Sequence, residues 1–253
     1  MLSTRVIPTL LIRDEGLVKG ERFRKHKYVG DPINAVKIFN DKEVDELIFF
    51  DIEATKCRKE PNYELIKDIA SQAFMPLGYG GGINSVEQIE RILSIGIEKV
   101  VMNTALIENP SLITSASEKF GSQSIVVSID AKRSMFGSYK TYTHSGTKAN
   151  KLTPIELAKK AQALGAGELV ITSIDREGTN SGYDLHLVKQ VAASVDIPVV
   201  ASGGSGKLED FRFAADSGAS AVAAGDMFTF HGKHKAVLIT YPNYDNLNKL
   251  FKG

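Results

Sequence analysis

The chain has 253 residues, with 31 Lys and Arg against 30 Asp and Glu, one cysteine and no tryptophan. A net charge of +1 gives no general attraction to nucleic acid or to a membrane surface. Cys57 alone cannot form an internal disulfide, and no apolar stretch is long enough for a signal peptide or a membrane span. We therefore expect a cytoplasmic protein with a single domain, residues 1–253.

Eight short apolar runs rich in β-branched residues recur along the chain and predict buried strands. They cover residues 5–12, 46–52, 75–81, 99–103, 124–130, 168–174, 197–202 and 220–225. Segments with helical periodicity lie between most of them, at residues 32–40, 63–73, 85–95, 154–164, 185–194 and 208–217. This alternation predicts an α/β fold of the (β/α)8 TIM barrel type.

An internal repeat supports the barrel, because several features recur at an offset of 122 residues. The matching pairs are Asp31 and Thr153, Glu46 and Glu168, Pro76 and Pro198, Gly81 and Gly203, and Gly96 and Gly218. The recurrence favours two fused half-barrels over two unrelated doubly wound halves.

The carboxyl ends of the strands form the active-site face of such a barrel. Polar residues at or just after these ends are Asp51, Asn103, Thr104, Asp130, Thr172 and Asp175. Two further strands run into glycines, Gly81 and Gly82 in one case and Gly203 and Gly204 in the other, and each pair precedes a helix. A helix start behind a glycine turn binds phosphate, so the duplicated pattern predicts a ligand with two phosphates. Glycine in a tight turn for purely steric reasons is the alternative.

Asp130 is the candidate general acid or base, because it ends an apolar run where burial raises the pKa of a carboxyl. The alternative is a structural aspartate that pairs with Lys132 or Arg133 or caps a turn. Lys19, in the long segment after the first strand, either closes over a phosphate or is a solvated surface lysine. No feature of the sequence calls for a cofactor or a metal ion.

Over essentially its whole length the chain resembles HisF, the cyclase subunit of imidazole glycerol phosphate synthase. The motifs lie at residues 18–20, 30–32, 80–83, 108–114, 120–123, 128–133, 172–176 and 182–184. The resemblance implies a heterodimer with a HisH-like glutaminase, whose ammonia passes through the barrel and serves to cleave and cyclise PRFAR, a bis-phosphorylated ribonucleotide. Together with the strand ends, it gives a substrate- and phosphate-binding set of Lys19, Asp51, Gly81, Gly82, Asn103, Thr104, Thr172, Asp175, Gly203, Gly204 and Gly225.

Four charged residues, Arg5, Glu46, Lys99 and Glu168, stand at strand starts and are expected at the N-terminal mouth of the barrel. The resemblance implies that these four form the gate through which ammonia enters. Scattered surface ion pairs are the alternative.

Three positions depart from the HisF pattern. Leu11 occupies the place of a catalytic aspartate, and a leucine neither accepts nor donates a proton. Glu177 replaces the usual aspartate, and Asp226 stands at the phosphate loop of the eighth strand, where a carboxylate opposes phosphate binding. The acid/base pair that the resemblance implies is therefore reduced to Asp130.

Residues 5–11 and 27–36 resemble a WbuZ-type branch of HisF-like proteins, which is associated with sugar amidation in surface polysaccharide synthesis. Our first hypothesis is accordingly a subunit that passes glutaminase-derived ammonia to a sugar amidotransferase. The alternatives are a working cyclase of histidine biosynthesis, with its acid/base group moved to Asp14 or Asp51, and an isomerase like the related HisA barrels. Residues 13–30 and 131–152 are expected to be mobile lids over a phosphorylated small-molecule ligand.

Overall fold

Eight parallel strands close into a barrel in the computed structural model, which describes residues 4–232 and 234–252. They are β1 (Arg5–Arg13), β2 (Leu47–Asp51), β3 (Leu77–Gly80), β4 (Lys99–Met102), β5 (Ile125–Arg133), β6 (Glu168–Ser173), β7 (Val199–Ser202) and β8 (Ala221–Ala224). Parallel pairing of β8 with β1 and of β5 with β6 completes the ring, with Ile7 beside Ala223 and Asp130 beside Thr172. The predicted (β/α)8 TIM barrel is confirmed.

Helices cover the outside of the barrel, and their starts are fixed by capping residues. They are α1 (Pro32–Asp41), α2 (Ala54–Cys57), α3 (Tyr63–Gln72), α4 (Val86–Ser94), α5 (Ala105–Glu108), α6 (Ser111–Phe120), α7 (Pro154–Ala163), α8 (Leu185–Ala192), α9 (Leu208–Asp216), α10 (Asp226–Thr229) and α11 (Tyr244–Lys252). Asp31 accepts a hydrogen bond from the Asn34 backbone at 2.8 Å, and Thr153 forms a capping box with Glu156. The sequence pattern did not predict α6, whose buried face is only Leu112, Ile113 and Ala116.

Two hairpins extend the barrel beyond its C-terminal rim. Strand Gly16–Glu21 pairs antiparallel with β1 and with strand Arg24–Gly30. Strand Tyr139–Thr143 likewise pairs with β5 and with the short strand Lys148–Ala149. The two segments expected to be lids are therefore built largely from paired strands, which the sequence pattern did not predict.

The barrel interior is apolar in its middle and polar at both ends. One buried cluster fills the middle, formed by Ile7, Ile48, Val101, Val126, Val170, Val200, Ala221 and Ala223. A larger cluster packs between the sheet and the helices. Because side chains alternate between the two faces of a strand, the residues two positions away from this interior layer also point into the barrel. The predicted gate residues lie on its N-terminal side, and Thr9, Ser128 and Thr172 lie on its C-terminal side.

Candidate functional site

A cavity of about 610 Å³ opens at the C-terminal end of the barrel. It brings together seven of the predicted site residues: Asp51, Gly81, Gly82, Asn103, Thr104, Asp130 and Thr172. These residues come from the ends of β2 to β6 and the loops behind them. A site assembled from the ends of several strands is the usual arrangement in this fold.

Asp130 is the proton-transfer group with the strongest structural support in the cavity. Its side chain is buried, with 8% exposure, and the Asn103 amide nitrogen lies 3.4 Å from its Oδ2. Burial raises the pKa of Asp130 to about 7, helped by the negative charge of Glu177 and opposed by a hydrogen bond from Ser128. A carboxyl with this pKa is half protonated near neutral pH and can both donate and accept a proton there.

Asn103 lies beside Asp130 in the cavity wall and links β5 to the second hairpin through its side-chain amide. Its amide nitrogen donates to the backbone oxygens of Ser128 at 3.0 Å and Tyr142 at 3.3 Å. Its Oδ1 is buried and has no hydrogen-bond partner among the described residues. A buried acceptor without a donor is unfavourable, so this oxygen is available to a donor group on a ligand.

Leu11 lines the same cavity from β1, and the two proposed substitutes for the missing aspartate differ in their position. Asp14 is exposed in the hairpin turn and lies outside the cavity. Asp51 lines the cavity, but its Oδ1 accepts hydrogen bonds from the backbone of Glu53 and Ala54, both at 2.9 Å. Of the two, only Asp51 is therefore placed where a relocated acid/base group could reach a ligand in the cavity.

The glycine pair after β3 lines the cavity in a tight turn, and the Gly82 backbone nitrogen donates to Thr55 Oγ1 at 3.2 Å. Gly81 and Gly82 have φ angles of +135° and +70°, which disfavour any side chain. A Cβ at Gly81 would lie 2.6 Å from the backbone oxygen of Asp51. Basic and imidazole side chains also line the cavity: His26, Lys56, Arg58, Lys59, His144 and Lys148.

Five residues of the predicted binding set do not line the cavity: Lys19, Asp175, Gly203, Gly204 and Gly225. Lys19 is buried rather than solvated, and its ammonium donates to the backbone oxygen of Thr9 at 2.8 Å. The Asp175 carboxylate accepts a hydrogen bond from the Arg133 backbone at 2.8 Å and so anchors the β5 hairpin. The cavity does not bring these five residues together with Asp130, and their part in a ligand site stays a prediction.

The four predicted gate residues meet across the barrel axis at the N-terminal end. Arg5 contacts both Glu46 and Glu168. Lys99 Nζ lies 3.0 Å from a Glu46 oxygen and 2.9 Å from a Glu168 oxygen. Burial lowers the pKa of Arg5, but the charges of Glu168 and Glu46 outweigh it and raise that pKa overall. Because both glutamates are buried, the four side chains form a closed ring rather than solvated surface pairs.

Sequence reasoning missed the contributions of the two hairpins. The first brings Phe23 and His26 to the cavity wall, and the second brings His144, Ser145 and Lys148. No local pattern marks these residues, because their position depends on how each hairpin folds back over the barrel. In the described ranges, no group of three or more His, Cys, Asp and Glu side chains is arranged to hold a metal ion.

The family model described as "Histidine biosynthesis protein" matches residues 5–235 of the chain. The chain belongs to this family. A relative named "Putative imidazole glycerol phosphate synthase subunit hisF2" from Pseudomonas aeruginosa is 49% identical over 249 residues, which are 98% of this chain and 99% of the relative.

Other relatives carry the same kind of name. The "Putative imidazole glycerol phosphate synthase subunit HisF" of Leptospira interrogans is 45% identical over 253 residues, covering 99% of this chain and all of the relative. The "Imidazole glycerol phosphate synthase subunit HisF" of Streptomyces avermitilis is 41% identical over 229 residues, 90% of this chain and 91% of the relative. This HisF-family chain has no helix, within residues 4–232 and 234–252, that is long and apolar enough to cross a membrane.

Proposed function

We propose that this chain is the synthase subunit of a glutamine amidotransferase complex. In this complex it receives ammonia at the N-terminal mouth from a HisH-like glutaminase and delivers it to the cavity at the C-terminal mouth. The observation that carries the proposal is the ring of Arg5, Glu46, Lys99 and Glu168, whose two glutamates are buried and which closes the barrel axis opposite the cavity. Two buried carboxylates paired with two partly exposed cations on the axis indicate a functional role, because apolar residues would stabilise that layer as well or better.

The apolar layer between the ring and the cavity fits a path for neutral ammonia. Ile7, Ile48, Val101 and Val170 belong to this layer. An ammonium ion loses several kcal/mol of hydration in such surroundings, whereas neutral ammonia loses far less. The path therefore favours ammonia over ammonium, and passage requires the Arg5 or Lys99 side chain to swing aside.

The docking face for the glutaminase is the end of the barrel that carries the ring. Phe74, in the loop that leads into β3 on this face, is 91% exposed. A large aromatic side chain held in solvent gains most by insertion into a partner. The names of the relatives, each a "subunit", fit a chain that works in an assembly.

Imidazole glycerol phosphate synthesis is the reaction that the names of the relatives favour. In that reaction PRFAR and ammonia give imidazole glycerol phosphate and AICAR, and Asp130 is the general acid and base that moves the protons. Its pKa of about 7 suits both roles at neutral pH.

Ammonia delivery for amidation of a surface-polysaccharide sugar is the second candidate, and Leu11 is the observation that favours it. Leu11 lines the cavity but offers no proton. Loss of one general acid or base lowers a rate by about 10²–10⁴-fold. A subunit that only passes ammonia onward to a sugar amidotransferase does not need that group, and the WbuZ-type resemblance supports this role.

Glutaminase activity of the cognate partner, measured with and without this chain, tests the proposed subunit role. We expect the chain to co-purify with the glutaminase and to raise its rate at least tenfold. An unchanged rate and separate elution would refute the proposal. PRFAR turnover with saturating ammonium then separates the two candidates, because ammonium bypasses the partner: normal enzyme turnover supports the synthase reaction, and no turnover supports ammonia delivery.

A further inference from the structure

The two hairpins at the C-terminal rim concentrate positive charge. Residues 16–30 and 131–149 together carry nine Lys and Arg against one acidic residue, Glu21. The rest of the chain has 22 Lys and Arg against 29 Asp and Glu, so it is negative overall. The net charge of +1 is therefore the sum of a basic rim and an acidic remainder, and the rim by itself attracts anions.

Most of these cations are exposed and have no acidic neighbour. The exposed group includes Arg24, Lys25, Lys27, Arg133 and Lys140. Of the Lys and Arg side chains in the two hairpins, only Arg22 and Lys148 form salt bridges within residues 4–232 and 234–252. The other exposed cations therefore do not hold the hairpins together, and their charge is available to an anionic partner.

The two hairpins adjoin each other, so that their charges belong to one surface. Arg22 Nε of the first hairpin donates to the backbone oxygen of Asp175 at 3.1 Å. The backbone nitrogen of Arg133, at the base of the second hairpin, donates to the carboxylate of the same aspartate at 2.8 Å. A Cβ on Gly146 in the second hairpin would lie 2.8 Å from the ring of Phe23 in the first. The basic surface is therefore continuous across both hairpins.

The tip of the second hairpin is apolar and stands in solvent. Met135 and Phe136 lie in the turn after β5 and are 100% and 98% exposed. Ser134 and Ser138 close this turn beneath them, because the Ser134 backbone nitrogen donates to the Ser138 oxygen at 2.7 Å and their hydroxyls also lie 2.7 Å apart. Attraction of a phosphorylated ligand to the cavity would account for basic hairpins, but not for two adjacent large apolar side chains that are fully exposed. Such a pair indicates an interaction surface.

The chemistry of this surface fits a lipid bilayer better than a protein. A stable protein interface buries about 800 Å² on each partner around an apolar core, and lysine is depleted there. Here lysine and arginine side chains surround an apolar tip of only two residues. An anionic bilayer accepts both features, because its headgroups attract clustered basic side chains and its interface takes up a short apolar insertion.

We infer that the C-terminal rim docks onto an anionic lipid surface, with Met135 and Phe136 inserted among the headgroups and the basic side chains of both hairpins against the lipid phosphates. This inference goes beyond the proposed function and does not depend on it. The ring of gate residues lies at the opposite end of the barrel. A membrane-bound chain therefore keeps its N-terminal mouth accessible to a glutaminase and turns its cavity toward the bilayer.

Co-sedimentation of the full chain with lipid vesicles tests the inference. We expect the partition coefficient at low salt to be roughly tenfold or more higher for equal parts of phosphatidylcholine and phosphatidylglycerol than for phosphatidylcholine alone, and to fall as salt is added. Phe136→Ser removes an inserted aromatic side chain and should weaken binding to the anionic vesicles by roughly tenfold or more. Phe74→Ser is the matched control, because Phe74 is 91% exposed at the opposite end of the barrel. Lys27→Gln should weaken binding by about fivefold, whereas Lys42→Gln, at an exposed lysine after α1, should not.

Three results would overturn the inference: no binding to the anionic vesicles, equal binding to both kinds of vesicle, or equal binding by folded Phe136→Ser and Phe74→Ser variants. Circular dichroism checks the fold of each variant, and if Phe136→Ser does not fold, the comparison of the two vesicles decides alone. Absence of vesicle binding together with self-association that Phe136→Ser abolishes would assign the surface to a second copy of the chain instead. Glutaminase stimulation measured without vesicles keeps the proposed function separate, since either result can fail while the other holds.

Discussion

Leu11 and Asp130 line one cavity from opposite sides of the barrel. β1 and β5 are four strands apart in the ring of eight, so the two residues face each other across the mouth. Asp130 carries a carboxyl with a pKa raised to about 7, while Leu11 carries only carbon and hydrogen. Proton transfer from the β1 side of a bound ligand therefore has no protein group at position 11 to perform it.

Replacement of Leu11 by aspartate should restore that group. We expect the Leu11→Asp variant to raise kcat for PRFAR, with saturating ammonium, by about 10²–10⁴-fold over the unchanged chain. The Leu11→Asn variant has nearly the same size but does not titrate, and it serves as the control. Equal turnover by the aspartate and asparagine variants would show that a proton-transfer group at position 11 is not what limits the reaction.

The pKa of Asp130 predicts a pH-dependent stability. The folded protein holds this proton up to a pKa of about 7, above the ordinary value of 3.8, so the contribution of Asp130 is fully present below pH 3.8 and is lost as the pH rises through 7. Between pH 5 and pH 8 the unchanged protein should lose about 2–3 kcal/mol of unfolding free energy relative to the Asp130→Asn variant. Urea unfolding at the two pH values measures this difference.

A matched control for that experiment is Asp41→Asn, because Asp41 is exposed. The difference in unfolding free energy between Asp41→Asn and the unchanged protein should be the same at both pH values. The same absence of pH dependence in Asp130→Asn would mean that burial does not hold the Asp130 proton.

A substitution in the ring of gate residues should impair ammonia entry at the N-terminal end while it leaves the cavity at the C-terminal end intact. Glu46→Gln removes one buried carboxylate from contact with Arg5 and Lys99. We expect a loss of about 2 kcal/mol in unfolding free energy, below the range for a fully buried pair because both cations are partly exposed. We also expect glutamine-dependent product formation to fall more than ammonium-dependent formation.

Glu98→Gln provides the comparison for the gate, since Glu98 is exposed beside Lys99. This variant should leave the unfolding free energy unchanged. It should change the ratio of glutamine-dependent to ammonium-dependent rates by less than about twofold. An equal fall of both rates in Glu46→Gln would argue against a role of the ring in ammonia entry.

The first hairpin and the loop after β6 are in close contact at Gly178, so a side chain at this position should strain the backbone. Gly178 has a φ of +72°, and an added Cβ collides with the Gly20 oxygen, so Gly178→Ala should destabilise the protein by about 1–3 kcal/mol. The hairpin should also loosen, which faster amide hydrogen exchange in residues 16–30 would reveal. Gly232→Ala has the same backbone strain at φ +71° with open space around it, and it should leave exchange in the hairpin unchanged.

The local hydrophobic pattern of the sequence was sufficient to predict the positions of the barrel strands. Each is a short apolar run buried on both faces, and each observed strand lies at its predicted run, although the ends shift by a few residues. β5 continues to Arg133 rather than ending at Asp130, because the second hairpin pairs with it beyond the barrel rim. Strand pairing of this kind depends on a distant segment, so no local periodicity could give the extension.

The sequence by itself determined the barrel, the four strand-start charges and Asp130 at the end of an apolar run. These follow from alternation and from chain order, which fix the end of the barrel at which a side chain lies. Only the tertiary structure decided how the predicted binding residues divide. Lys19 is buried against Thr9 and Gly225 because the first hairpin folds back over β1. Gly203 and Gly204 pack against Ser173 and Gly182, whereas Gly81 and Gly82 line the cavity.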